Sequence, residues 1–218
     1  MILLAIDTAT EMCSAALWVD GKLLQKSTVQ ARQHAELILP FIDVLLGEAK
    51  INKSQIGGLV VGQGPGAFTG VRIGVGVAQG LALGLNIPVV AVSNLQTLAF
   101  RAYQQLNTSE ARTILVATDA RMNEVYWAKY QTCGDEIKLL GTEKVTPASQ
   151  VDLSQVDNYI GNGFSVYDEL KNYAKNNPAT YQTNVFSQAK DMLLMVKDDF
   201  NKKAQKIATI EPVYLRNP

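Results

Sequence analysis

The chain has 218 residues, 47% of them hydrophobic, which is enough to build a sizeable core in one large domain or in two of about 100 residues; two are expected. Twenty basic and twenty acidic residues cancel, so the chain by itself lacks the electrostatic footprint of a nucleic-acid binder. No apolar stretch approaches membrane length without interrupting glycines, no cationic leader precedes Leu3-Leu4, and Cys13 and Cys133 have no metal spacing. A cytoplasmic protein with reduced thiols and no membrane association is the expectation.

In chain order, residues 3–9 read as a strand that carries Asp7 near its end, 13–19 as a second strand and 22–29 as a third. Residues 34–49 follow as a helix. Its apolar positions, Ala35, Leu37, Ile38, Leu39, Phe41, Ile42, Val44, Leu45, Leu46 and Ala49, cover most of the circumference, and Glu36, Asp43 and Lys50 leave only a narrow polar strip. An ordinary surface helix buries one stripe of a little over 100°, so this one is expected to be buried on two sides, with a kink or restart at Pro40.

Ten of the sixteen glycines fall between Gly57 and Gly84. Residues 56–61 read as a buried strand, Gly62 to Gly66 as a loop needing positive φ or close backbone approach, and Phe68 onward as a helix entered at its dipole-positive end. That order suits an anion, although the text lacks the Gly-Lys-Ser/Thr of a P-loop and the Rossmann spacing. Gly66, Gly70 and Gly74 recur every fourth residue, as do Gly76, Gly80 and Gly84, and each interior glycine costs a helix about 1 kcal/mol relative to alanine. Missing side chains along one stripe let another backbone approach closely. One stripe is expected to pack on the protein's own sheet and the other on a partner chain.

Beyond a strand at 89–92 and a helix at 95–106, the layout repeats. Residues 115–121 end on Asp119 and Arg121, 125–130 and 138–145 are strands, and 156–160 leads into Gly161-Asn162-Gly163, an echo of Gly62-Gln63-Gly64. A helix at 166–175, a loose Asn176-Asn177-Pro178 and a long closing helix at 188–203 complete the second half, and Lys202, Lys203 and Lys206 form a solvated basic face. The expected subdomains are 1–107 and a shorter 108–218 whose last helix packs back on the first. Asp7, Gly62, Gly64, Gly66 and Asp119 are the candidate nucleotide-binding residues. The same residues also serve turns, since Asp accepts backbone bonds at strand ends and glycine permits positive φ, and structural retention is favoured over binding. For Arg72 and Arg121 a surface ion pair is the favoured role. A single histidine, His34, and two isolated cysteines provide no transition-metal site, and no metal is expected.

Duplicated halves, each closing its first strand on an aspartate, resemble the actin-like ATPase and ribonuclease H-like fold: α/β, in two unequal subdomains, each a mixed sheet flanked by helices. IDTAT near the start, GQGPGAFTGVRIGVGVAQGLA in the middle, TDARMNEVYWA in the second half and EPVYLRNP at the end resemble the bacterial TsaB family, also called YeaZ, over nearly the whole length. The resemblance implies a noncatalytic partner of the enzyme TsaD. With TsaD and the ATPase TsaE it serves threonylcarbamoylation of the adenosine 3′ of the anticodon in tRNAs reading codons that begin with A. ATP would be used by the wider complex, with no cofactor of the chain's own, and tRNA would be met only through the complex. TsaD proteins carry two metal-binding histidines four apart after this glycine helix, and Asn94 and Leu98 stand in those positions here. The expected partner face, used for TsaD and for a homodimer when the chain is alone, comprises His34, Leu37, Ile38, Phe41, Leu45, Gly70, Val71, Gly74, Val75, Ala78 and Leu81. The alternatives are an actin-fold small-molecule kinase and a glycoprotease-like peptidase.

Overall fold

The computed structural model describes residues 1–30, 32–106, 110–134, 136–177, 181–182, 185–205 and 210–216. Residues 107 and 108 at the expected subdomain boundary, Pro178, Lys206 and the final Asn217-Pro218 lie outside the described residues. The elements run β1 (Leu3–Asp7), β2 (Met12–Val19), β3 (Lys22–Val29), α1 (His34–Ala49), β4 (Gly58–Gly62), α2 (Phe68–Leu85), β5 (Val89–Val92) and α3 (Asn94–Tyr103). There follow β6 (Thr113–Asp119), β7 (Glu124–Cys133), β8 (Glu136–Pro147), β9 (Asn158–Ile160), α4 (Gly163–Val166), α5 (Asp168–Asn176), β10 (Tyr181–Gln182), α6 (Ala189–Val196) and α7 (Phe200–Lys203).

The chain forms two units, and their limits differ from the expected 1–107 and 108–218. The first comprises Met1–Asn94 and Ser187–Val213, the second Leu95–Phe186 and Tyr214–Pro218. In the first, the sheet order is β3-β2-β1-β4-β5, with β1, β2 and β3 antiparallel and β1, β4 and β5 parallel. The second repeats it as β8-β7-β6-β9-β10. Two mixed sheets flanked by helices, in unequal copies, are the α/β architecture expected.

Side chains alternate across a strand, so β1 feeds two layers of core. Leu4 and Ile6 meet α1 and α2 through Ile38, Ile42, Leu45, Val71, Val75, Ala78 and Ala82. Leu3 and Ala5 face the other way, onto Met192, Leu193, Val196 and Phe200 of the closing segment. Coverage on both faces explains why β1 and β4 are continuous apolar runs rather than alternating ones.

Three local expectations need correction. Helix α1 continues through Pro40 without a restart, because the carbonyl that proline leaves unpaired belongs to solvent-exposed Glu36 and can take water. The closing helix is two pieces, α6 and α7, separated by Lys197-Asp198-Asp199, residues that include two poor mid-helix formers. The helix at 166–175 likewise divides at Tyr167, whose extended backbone separates α4 from α5. With its glycines counted, α2 is the one helix among the described residues long and apolar enough to cross a membrane, and its sheet-facing side is buried in the first unit's core.

Candidate functional site

Strand β1 delivers Asp7 to the end of the first sheet, where it is completely buried. Its Oδ1 accepts the Ala9 backbone N–H at 3.0 Å and the Asn94 side-chain amide at 3.0 Å, and its Oδ2 accepts the Ser187 hydroxyl at 2.5 Å. Asn94 also donates to Ser187 Oγ at 2.7 Å, while its Oδ1 accepts the Gly64 N–H at 2.8 Å and its own N–H donates to the Gly64 carbonyl at 2.9 Å. Burial holds the Asp7 carboxyl above its ordinary value of 3.8, opposed by the hydrogen bonds from Ser187, Ala9 and Asn94 and by the nearby His34.

The glycine turn is occupied by the chain itself. A Cβ at Gly62 would stand 2.8 Å from Asp7 Oδ1, and one at Gly66 2.3 Å from the Ala9 carbonyl oxygen. Gly64 has φ +100°, and Val213 donates its N–H to the neighbouring Gln63 carbonyl at 2.8 Å. At this turn the candidate nucleotide-binding residues serve the fold, as favoured: Asp7 ties backbone and side chains, and Gly62, Gly64 and Gly66 admit close approach of the chain.

Asp119 is equally committed within the second unit. Its Oδ1 accepts from Tyr167 Oη at 2.6 Å and from the Arg121 N–H at 2.8 Å, and its Oδ2 pairs with the Arg121 guanidinium at 3.0 Å. Its own N–H donates to Asn162 Oδ1 at 2.8 Å. Burial, then the bond to Asp119, raises the Tyr167 phenol above its ordinary range, so it stays a donor. Arg121 therefore has the ion pair expected of it, and Arg72 stacks on the Phe68 ring, its guanidinium carbon 3.2 Å from the centroid.

The two glycine stripes of α2 differ completely. Cβ atoms at Gly70 and Gly74 would lie 2.1 Å from the Thr8 carbonyl oxygen and 2.7 Å from Thr8 Oγ1, and Thr8 donates its hydroxyl to the Gly70 carbonyl at 2.7 Å. A Cβ added at Gly76, Gly80 or Gly84 would meet no described atom within 4 Å beyond the helix's own backbone. Half-exposed Ile73 and Val77 share their side of the helix by spacing, and Leu83 is 75% exposed.

This geometry corrects most of the expected partner face. His34, Ile38, Leu45, Gly70, Val71, Gly74, Val75 and Ala78 are buried in their own unit, and His34 donates its Nε2–H to the Thr10 carbonyl at 2.7 Å. Leu37, Phe41 and Leu81 remain half-exposed. Outside the expected set, Leu39, Val44, Gly76, Gly80, Leu83 and Gly84 are open, and Ile73 and Val77 are half-exposed. Four-residue spacing marked the glycine stripes but could not say which of them met the sheet.

Among the described residues no three His, Cys, Asp or Glu side chains are grouped to hold a metal. Asn94, in the place where a metal-binding histidine was considered, is instead a hydrogen-bonding bridge between the glycine turn and Asp7.

Three comparisons bear on this arrangement. The family profile for TsaD, tRNA N6-adenosine threonylcarbamoyltransferase, matches residues 26–211. The tRNA threonylcarbamoyladenosine biosynthesis protein TsaB of Escherichia coli is 38% identical, the match covering all of this chain and 95% of that one. The structure of YeaZ from Pseudomonas aeruginosa superposes with a TM-score of 0.85 at 38% identity, covering 98% of this chain and 99% of its own. An N-acetylmannosamine kinase candidate from Listeria monocytogenes, at 11% identity and a TM-score of 0.50 over 93% of this chain and 99% of its own, shares the fold alone.

Proposed function

The chain belongs to the TsaB (YeaZ) family of tRNA threonylcarbamoyladenosine biosynthesis proteins, and from that premise we propose that it is the noncatalytic partner and scaffold of TsaD. With TsaD and the ATPase TsaE, it serves threonylcarbamoylation of the adenosine 3′ of the anticodon in tRNAs reading codons that begin with A. The observation that carries the partner reading is the open stripe Gly76, Gly80 and Gly84 of an 18-residue helix, which no described residue fills. Three glycines without an intramolecular use cost the helix about 3 kcal/mol, a loss that close packing of a second helix would offset.

TsaD is the occupant in the assembly, and a second copy of this chain takes its place in the free protein, because one self-complementary patch suffices for a two-fold dimer. Neutral overall charge supports a route to tRNA through the complex alone. The cytoplasm is the compartment this reading implies.

Gly80→Leu and Leu83→Asp test the partner reading, since both sites are open and neither touches the Asp7 network. Each variant is expected to retain its circular dichroism spectrum, with Gly80→Leu melting a few degrees above the wild type as a glycine gives way to a better helix former, to lose TsaD in a pull-down, and to fail to restore threonylcarbamoylated tRNA in cells lacking the native gene. Folded variants that capture TsaD and restore the modification would place the interface elsewhere.

The noncatalytic assignment is supported by the commitment of Asp7 to Ala9, Asn94 and Ser187, which leaves no free carboxylate to face magnesium and phosphate at that turn. The single histidine is buried, with its Nε2–H on the Thr10 carbonyl, which does not favour a general-base role in a kinase or peptidase. Calorimetry with ATP and magnesium is expected to show only weak binding, with no turnover. Submicromolar affinity that vanishes in folded Asp7→Asn would favour the small-molecule kinase alternative.

A further inference from the structure

The chain passes between its two units three times, after Asn94, before Ser187 and after Val213. These three first-unit residues are far apart in sequence, yet Asn94 and Val213 bond the Gln63-Gly64 backbone, and Ser187 bonds the side chains of Asn94 and Asp7 beside it. Asn94 clasps Gly64 through both its side-chain oxygen and its N–H, at 2.8 and 2.9 Å, and reaches Asp7 through its amide nitrogen. Ser187 donates to Asp7 and accepts from Asn94. Val213 donates to Gln63, and its carbonyl oxygen stands 3.1 Å from where a Gly64 side chain would begin.

Asn94 is the group on which the arrangement depends. An amide offers one acceptor and two donors in a fixed fork, and here the acceptor takes Gly64 while the nitrogen serves Asp7 and Ser187. A neutral histidine has one donor and one acceptor, so it could reach Gly64 and Asp7 but would leave Ser187 without its donor. Glycine at 64 allows both the φ of +100° and the approach of Val213.

We infer that Asp7, Gly64 and Asn94 form a single pin that locks together the first-unit ends of all three chain passages. The aspartate and the glycine turn, candidate nucleotide-binding residues by sequence, serve in this chain as a brace within the first unit. Every atom of the pin lies in the first unit, and the inference does not depend on the identity of any partner.

Hydrogen exchange on the full chain tests it, using Ser187→Ala, which deletes one hydroxyl, beside Asn94→Ala. Ser187→Ala is expected to raise exchange about tenfold at the Gly64, Asn94 and Val213 amides, the scale of one buried hydrogen bond, while amides within β1 and β4 keep their wild-type rates. Asn94→Ala should produce a larger rise at the same amides. The decisive residue is Val213, which Ser187 does not touch. A response confined to the neighbours of Ser187 would show three separate anchors and overturn the pin. An equal rise at β1 and β4 would reduce the cluster to an ordinary core contact and overturn it as well. Should Asn94→Ala fail to fold, the exchange pattern of Ser187→Ala alone still separates a shared pin from these two outcomes.

Discussion

Alanine at Gly70 is expected to destabilise the protein by about 3 kcal/mol, while alanine at Gly80, ten residues along the same helix, should stabilise it by about 1 kcal/mol. The added carbon at Gly70 would lie 2.1 Å from the Thr8 carbonyl oxygen, a backbone atom that cannot swing aside. The one at Gly80 meets nothing within 4 Å, so only the gain in helix propensity is left. In a protein of this size the first change corresponds to a melting temperature lower by about 10 °C and the second to one raised by about 3 °C. Thermal denaturation at concentrations low enough to keep the chain monomeric measures both. If Gly70→Ala melts with the wild type, α2 is not seated on the Thr8–Ala9 backbone. If Gly80→Ala melts well below it, the stripe assigned to a partner is needed inside the chain.

Removing the Asp7 side chain should be the most damaging single change in the first unit. Asp7→Ala strands the Ala9 N–H, the Asn94 amide and the Ser187 hydroxyl, each a buried donor worth about 1 to 3 kcal/mol when unsatisfied, against some relief from no longer burying the carboxyl. The expected net cost is about 4 kcal/mol. Asp7→Asn keeps the shape and an acceptor and should recover most of it.

The same pair of variants separates charge from packing. Because burial raises the folded-state pKa of Asp7 above 3.8, the folded chain holds that proton more tightly than the unfolded chain does. Its contribution to stability is therefore fully present below 3.8 and is lost as pH rises through the folded value. Denaturant midpoints across acidic to neutral pH should show the wild type losing ground relative to Asp7→Asn as pH rises. Parallel curves would mean that Asp7 titrates as it does in the unfolded chain and that its hydrogen bonds cancel the cost of burial.

Much of the architecture was legible in the residues alone. The three strands from Leu3 to Val29, the helix 34–49 and the strand 89–92 follow from local periodicity and turn residues, and the observed elements β3, α1 and β5 have those limits. The repeat of strand, aspartate and glycine turn was also visible, since Asp7 and Asp119 end corresponding strands of two sheets with the same order. These features are local, because they depend on residues within about ten positions of one another.

The orientation of the glycine helix was not local. An apolar residue on α1 or α2 has some apolar neighbour whichever way the helix turns, so a helix apolar around most of its girth carries no internal record of which side meets the sheet. Thr8, 62 positions before Gly70, decides it by bonding the Gly70 carbonyl. Similarly, Ser187 stands 180 positions from Asp7, and no periodicity links the closing segment to the first strand. The sequence by itself determined most of the elements, their duplicated order and the family. Only the tertiary structure decided that one glycine stripe is filled and the other open, that the segment 187–213 belongs to the first unit, and that the buried aspartate is saturated by Asn94 and Ser187. Those outcomes depend on atoms brought within a few ångströms by folding, and the free energy that selects among them is written in no single stretch of the chain.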